Sequence, residues 1–264
     1  MALYYETIQV SLKYFFKPLC EVNLMIKTIE SGIPGFDELT LSEIIEGGIP
    51  EKSSTLIYGP PKTGKSIFCN QFTYQGLLNL EPCLYVTTDQ GLKQVQNNMM
   101  EFQWFIQNYI QNQSLYIIDG ISQLSGKKIE NTNNIKSSFV RNPSDMMVKI
   151  GIGTRSVYKK SNHFRSTLDS LNTLFTFNPQ QMVIRVLNAY LRRITEAGGT
   201  CIIAYTEGII NPNTENMLKS LFDNTIKLDG QHIQIKYHFE EEEEVINYKS
   251  TYKITDKGII VEKE

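Results

Sequence analysis

Residues Gly59-Pro60-Pro61-Lys62-Thr63-Gly64-Lys65-Ser66 restrict this chain more than any other stretch. They fit the pattern GxxxxGK[ST], a loop that cradles phosphate oxygens. The motif has meaning only between a strand and a helix, and both are legible here. Ser54 to Tyr58 is an apolar run suited to a buried strand, and Ile67 to Phe72 places apolar residues at helical spacing. Gly59 and Gly64 let the backbone curl so that its N–H groups point inward, and the helix start adds unpaired N–H groups and a positive dipole end. Lys65 is placed to reach the β- and γ-phosphates, and the Ser66 hydroxyl to ligate Mg²⁺. Gly59, Pro60, Pro61, Lys62, Thr63, Gly64, Lys65, Ser66 and Ile67 are therefore assigned to binding the phosphates of a nucleotide.

The rest of the chain alternates apolar runs with helical periodicity. Strands are expected at Cys83–Thr87, Ser114–Ile118, Phe164–Leu168, Thr200–Tyr205 and Asn224–Leu228. Helices are expected over about 36–45, from the loop to Leu80, then 92–105, 143–160, 179–197 and 214–221. Residues 121–142 are polar and are expected to form a long surface loop. After Leu228 the pattern turns to period-two alternation around Asp256-Lys257-Gly258, which predicts antiparallel hairpin strands over about 230–262. Glu240 to Glu244 is expected to be a solvated hairpin loop. The fold class is thus α/β: a P-loop core with a mostly parallel sheet, helices on both faces and a C-terminal antiparallel hairpin.

Composition excludes several classes. With 41% hydrophobic and 20% charged residues the chain is an ordinary globular protein, and its net charge of −2 gives no general nucleic-acid footprint. Cys69, Cys83 and Cys201 sit in apolar segments and read as buried thiols of a reducing cytoplasm. No metal-ligand spacing joins the cysteines to His163, His232 or His238, so no zinc site is expected. Residues 1–24 lack the features of a signal peptide or membrane span and are expected to be an N-terminal extension, with 25–264 forming one domain.

Such a sheet binds ligands at the carboxyl ends of its strands. A P-loop needs an acidic partner there to hold Mg²⁺ through its water shell, and Asp119 and Asp169 compete for that role. Asp119 follows the more apolar run LYIID, Asp169 the weaker run FRSTLD, and the residues alone leave the choice open. Asp89 could orient or deprotonate an attacking water, or simply cap the following helix. Thr206 and Glu207 could sense the γ-phosphate or form an ordinary strand-end turn.

Four segments together are informative: SGIPGFDEL (31–39), EGGIPEKSSTLIYGPPKTGKSIFCNQF (46–72), CLYVTTDQ (83–90) and SLYIIDG (114–120). They resemble the KaiC/RadA-like branch of the RecA superfamily of ATPases, and single-domain archaeal KaiC-like proteins most of all. The resemblance covers about 28–262, including YKITDKGIIV near the end. It implies a RecA-like core in which Asp169 takes the Mg²⁺ role, supported by Ser170, and Asp119 is demoted. It implies that Asp89 stands where relatives carry a catalytic glutamate. Asp89 is one methylene shorter, and Gln90 replaces a further acid, so slow hydrolysis and binding without turnover both stay open. It also implies a ring or filament of identical subunits with ATP between them, completed by a cation from the neighbour. Lys236 is the one obvious candidate for that trans cation, and the acidic block beside it weakens the inference. A recombination-type ATPase that binds DNA through Lys127-Lys128 or Lys159-Lys160 is the rival reading, and a non-catalytic ATP sensor is the second.

Overall fold

A computed structural model describes residues 25–126, 129–239 and 244–262. Expectations for residues 1–24, for Lys127-Lys128 and for Glu240–Glu243 lie outside the described residues. In chain order the elements are β1 (Thr28–Ile29), α1 (Phe36–Thr40), β2 (Ile49–Pro50), β3 (Ser54–Gly59), α2 (Lys65–Leu78), β4 (Cys83–Thr87), α3 (Leu92–Glu101), α4 (Gln107–Gln111), β5 (Leu115–Asp119) and β6 (Ile135–Ser137). There follow α5 (Pro143–Tyr158), β7 (Phe164–Asp169), α6 (Leu171–Phe177), α7 (Gln180–Glu196), β8 (Gly199–Thr206), α8 (Pro212–Lys219), β9 (Asn224–Leu228), β10 (His232–Phe239), β11 (Glu244–Thr255) and β12 (Gly258–Val261).

Ten strands form one sheet in the order β12-β11-β10-β9-β3-β8-β7-β4-β5-β6. From β9 to β6 every pairing is parallel, and from β9 to β12 every pairing is antiparallel. The central strands are buried on both faces. Leu56, Leu84, Leu168 and Ile203 pack on one side with Ile150 of α5 and Leu187 of α7. Ile57, Ile202 and Ile226 pack on the other with Phe68 and Phe72 of α2. This is the RecA-like α/β architecture, and the parallel half explains why its strands read as continuous apolar runs.

β7 is the exception, and its chemistry explains its weak apolar signal. All six of its residues are buried, yet Arg165, Ser166, Thr167 and Asp169 are polar. Their partners come from the covering helices and the loops beside them. Thr167 Oγ1 lies 2.8 Å from Thr73 Oγ1 of α2, and Ser166 Oγ lies 2.7 Å from the Tyr190 hydroxyl of α7. Arg165 lies against α2 at Gly76, where a methyl group would sit 2.4 Å from Arg165 Cδ. A polar seam therefore runs along α2 and β7, and buried polar groups are tolerated because they are bonded.

Several boundaries differ from expectation. The first helix ends at Thr40, not near Ile45, because Thr40 Oγ1 bonds back to Phe36 O at 3.0 Å and accepts from Gly48 N at 2.8 Å. The helix expected over 92–105 stops at Glu101, and the chain reverses through Gln103 at φ 62°. Residues 121–142 are not one loop. They contain a 3₁₀ turn at Ser122–Ser125 and the edge strand β6, held by Asn134 Nδ2, which donates to Ile110 O at 2.7 Å and Leu115 O at 2.8 Å. Glu244 belongs to β11, opposite Phe239, and not to the hairpin loop. No helix among the described residues is long and apolar enough to cross a membrane.

Candidate functional site

The loop between β3 and α2 owes its shape to two glycines. Gly59 has φ 147°, and a Cβ there would lie 1.9 Å from Leu228 O, so no other residue fits. Gly64 has φ 94°, with Ile254 Cδ1 at 3.0 Å from where its Cβ would stand. Thr63 Oγ1 donates to Pro60 O at 3.0 Å. Lys65 Nζ donates to Gly59 O at 3.1 Å and to Pro60 O at 2.5 Å. The antiparallel strands brace this loop from outside: the Tyr252 hydroxyl donates to Thr63 O at 2.6 Å and accepts from Gly230 N at 3.0 Å.

The cavity above the loop has a volume of about 330 Å³. Pro61 to Ile67 line one side, Asp89, Asp169, Ser170, Asn172 and Thr206 the other, with Ala204 and Ile254 completing it. The strand order brings these groups together: β8 lies between β3 and β7, and β4 beyond β7, so the carboxyl ends of four neighbouring strands meet here. Neither Asp119 nor Asp169 lies on a strand beside β3, but Asp169 is two strands away and Asp119 four.

Asp169 Oδ1 accepts from Ser66 Oγ at 3.0 Å. Its Oδ2 is 3.4 Å from the Tyr85 hydroxyl, which donates to Asn70 Oδ1 at 2.7 Å. Only 6% exposed, the Asp169 carboxyl is pushed up to about 6 by burial and then by the nearby Asp89 charge, against the opposing pull of Ser66, Tyr85 and Lys65. Burial likewise pushes the Lys65 ammonium below its ordinary value, with Asp169 and Glu207 opposing. A buried carboxylate beside a hydroxyl, with too little positive charge near it, fits a small divalent cation. Ser66 and Asp169 present hard oxygens of the kind that suit Mg²⁺ and its water shell.

Asp119 is equally buried but differently engaged. Its Oδ1 accepts from Ile121 N at 3.0 Å and Ser122 N at 2.8 Å. Its Oδ2 accepts from Leu92 N at 2.6 Å and Ser122 Oγ at 2.7 Å. Four donors saturate it, and it does not line the cavity.

Asp89 does not cap α3, whose N-cap residue is Gly91. It reaches across to α6 instead. Its Oδ2 accepts from Ser170 Oγ at 2.5 Å and Asn172 Nδ2 at 3.0 Å, and its Oδ1 from Thr173 N at 3.2 Å and the Thr173 hydroxyl. Thr206 lines the cavity and bonds twice to Asn172. Glu207 turns away: its carboxylate lies 3.6 Å from Lys219 Nζ and 3.5 Å from Lys227 Nζ, outside the cavity lining. Lys236 is exposed on β10 and does not line the cavity either.

Asn172 and Tyr85 carry no motif in the sequence. Tyr85 sits inside an apolar run and reads as core. Asn172 is the third residue after the strand-end Asp169, in a short helix that carried no expectation. The Asp169-Ser170-Leu171-Asn172 text was the available signal, since polar residues just after a strand-end acid face the ligand edge of such a sheet.

Comparison with known proteins identifies the family of the chain. The family described as "ATPase: KaiC" matches residues 29–264. A UPF0273 protein of Pyrococcus furiosus is 30% identical over 253 residues, covering 90% of this chain and 94% of that protein. A UPF0273 protein of Thermotoga maritima is 30% identical over 252 residues, covering 90% and 96% respectively. One from Aeropyrum pernix is 26% identical over 246 residues, covering 90% and 94%. The chain belongs to the KaiC family of ATPases in the RecA superfamily.

Proposed function

We propose that this chain binds MgATP in the cavity above Gly59 to Ile67, hydrolyses it slowly, and uses the bound nucleotide to control assembly with copies of itself or docking of a regulated partner. The observation that supports it most is the pair Ser66 Oγ and Asp169 Oδ1, 3.0 Å apart in the lining of the cavity beside the phosphate loop. The loop N–H groups hold the phosphates, and Lys65 Nζ leaves the Gly59 and Pro60 carbonyls for the β- and γ-phosphates. Ser66 would hold Mg²⁺ directly and Asp169 through its water shell, and the ion would supply charge neutralisation when bound. Asp89 orients a water on the opposite wall and takes its proton as the water oxygen bonds to the γ-phosphorus and the bond to ADP breaks. In an assembly, the exposed Lys236 is the cation offered to a neighbour's nucleotide. The buried free thiols Cys69, Cys83 and Cys201 suit a reducing cytoplasm.

One observation favours a second reading, a nucleotide sensor with little turnover. Asp89 already accepts from four donors, so a water must displace one of them before Asp89 can act as a base. Titrating the full chain with a fluorescent ATP analogue, with and without Mg²⁺, and following phosphate release separates the readings. The proposal expects Mg²⁺-dependent binding, slow release above the protein-free rate, and loss of release with retained binding in Asp89→Asn. Tight binding with release at background, unchanged in Asp89→Asn, makes the chain a sensor. Absence of nucleotide binding overturns both.

A further inference from the structure

We propose that Asn172 is a positioning residue that fixes the Thr206 hydroxyl as a hydrogen-bond donor to the terminal phosphate, so that the site tells a nucleoside triphosphate from a diphosphate. This rests on the nucleotide reading above, and adds to it a residue and a specificity.

The argument starts from donors and acceptors that have no choice. Thr206 N is a backbone N–H and can only donate, and the Asn172 side-chain atom 2.9 Å from it must be the carbonyl Oδ1. The amide nitrogen then faces the other way, toward Asp89 Oδ2 at 3.0 Å and Thr206 Oγ1 at 3.1 Å. The Asp89 carboxylate accepts, which agrees: an amide turned end for end would press a carbonyl against a carboxylate and an NH₂ against an N–H. Asn172 is therefore locked in one orientation by a partner on each side. Its backbone is held as well, with Asn172 N donating to Ser170 Oγ at 3.2 Å at the start of α6.

The amide has two hydrogens, one for Asp89 and one for Thr206 Oγ1. Because Thr206 Oγ1 accepts from Asn172, its own hydrogen must point elsewhere. No protein acceptor takes it among the described residues, and Thr206 lines the phosphate cavity. Thr206 also stands in register with Gly59, the first residue of the phosphate loop, on the neighbouring strand. A donor held there, opposite Lys65 and Ser66, suits an anionic oxygen beyond the phosphates that the loop itself cradles. A diphosphate has no oxygen at that place. Without Asn172 the hydroxyl can rotate to other acceptors, so the discrimination belongs to the pair and not to Thr206 alone.

The test is a comparison of affinities in the full-length chain for AMP-PNP, a triphosphate analogue that is not hydrolysed, and for ADP, both with Mg²⁺. Asn172→Ala is expected to weaken AMP-PNP on the order of tenfold, the scale of one donor to a charged group, and ADP by less than about threefold. Thr206→Val is expected to do the same and, being isosteric and removed from Asp89, keeps the test usable where Asn172→Ala fails to fold. Thr206→Ser retains the hydroxyl and is expected to retain the preference. The double variant is expected to lose no more than either single one, since Asn172 acts through Thr206. Equal weakening of both nucleotides, or losses that multiply in the double variant, overturns the proposal while leaving nucleotide binding intact. A wild-type chain that binds neither nucleotide overturns this proposal together with the functional reading beneath it.

Discussion

The two ends of β7 carry opposite charges, and both are buried, but they are treated in opposite ways. Arg165 at the amino end is fully buried, and each of its three guanidinium nitrogens is bonded. Its Nε and Nη2 meet the Glu81 carboxylate at 2.8 and 3.0 Å, and its Nη1 donates to Glu30 O at 2.7 Å and Phe72 O at 3.0 Å. The guanidinium also lies 4.6 Å from the Phe72 ring centroid. Asp169, four residues on, has a single hydroxyl at 3.0 Å and a shared one at 3.4 Å, and its carboxyl is pushed up to about 6. The same strand thus holds a charge satisfied by the protein and a charge that is not. The first binds three segments together. The second is left short of partners, and it is the one that lines the cavity with the phosphate loop.

This contrast fails if the two ends respond alike to mutation. The largest effect is expected at the structural end. Arg165→Ala strips the Glu81 carboxylate and the Glu30 and Phe72 carbonyls of their donor and leaves a cavity beneath Gly76. A loss of about 3 kcal/mol is expected, at the lower end for a broken buried pair because Glu81 keeps some contact with water. Chemical denaturation of the nucleotide-free chain measures it, and a loss below about 1 kcal/mol would show that the pair is incidental.

At the other end the sign reverses. The Asp169 carboxyl is raised from its ordinary 3.8 to about 6, so the folded state holds that proton more tightly than the unfolded chain does. No penalty exists below the ordinary value, it grows between there and about 6, and above that it is constant. At neutral pH it amounts to no more than about 3 kcal/mol. Asp169→Asn is therefore expected to stabilise the nucleotide-free fold at pH 7 by up to that amount, and to flatten the pH dependence of stability between pH 4 and 6. Melting curves across that range check it. A variant less stable than wild type at pH 7 would mean that Asp169 is a structural group after all.

Much of the fold was legible because most of the sheet is apolar. β3, β4, β5 and β8 announce themselves as continuous runs, and Gly59 and Gly64 mark the loop between strand and helix. What stayed hidden has one physical cause: polar residues that are satisfied locally look like surface in sequence. β7 is a weak run because Arg165 pairs with Glu81, Ser166 with Tyr190 of α7 and Thr167 with Thr73 of α2. β6 passes for loop because Asn134, and not an apolar stretch, fastens its start. The site shows the same limit. Asp119 ends the more apolar run and looks like the better metal partner, yet Leu92 N, Ile121 N, Ser122 N and the Ser122 hydroxyl consume it. Strand order decided the geometry, and strand order is not written in any single segment. The resemblance to KaiC/RadA-like proteins pointed to Asp169 where the residues alone did not.

The central claim is that Asp169, and not Asp119, completes a Mg²⁺ site with Ser66. The most direct measurement is the Mg²⁺ dependence of ATP affinity in Asp169→Asn and in Asp119→Asn, read by the same fluorescent nucleotide titration in the full chain. The account predicts that Asp169→Asn binds with little response to Mg²⁺, while Asp119→Asn keeps the wild-type response whatever it costs in stability. A Mg²⁺ response retained in Asp169→Asn and lost in Asp119→Asn would contradict it.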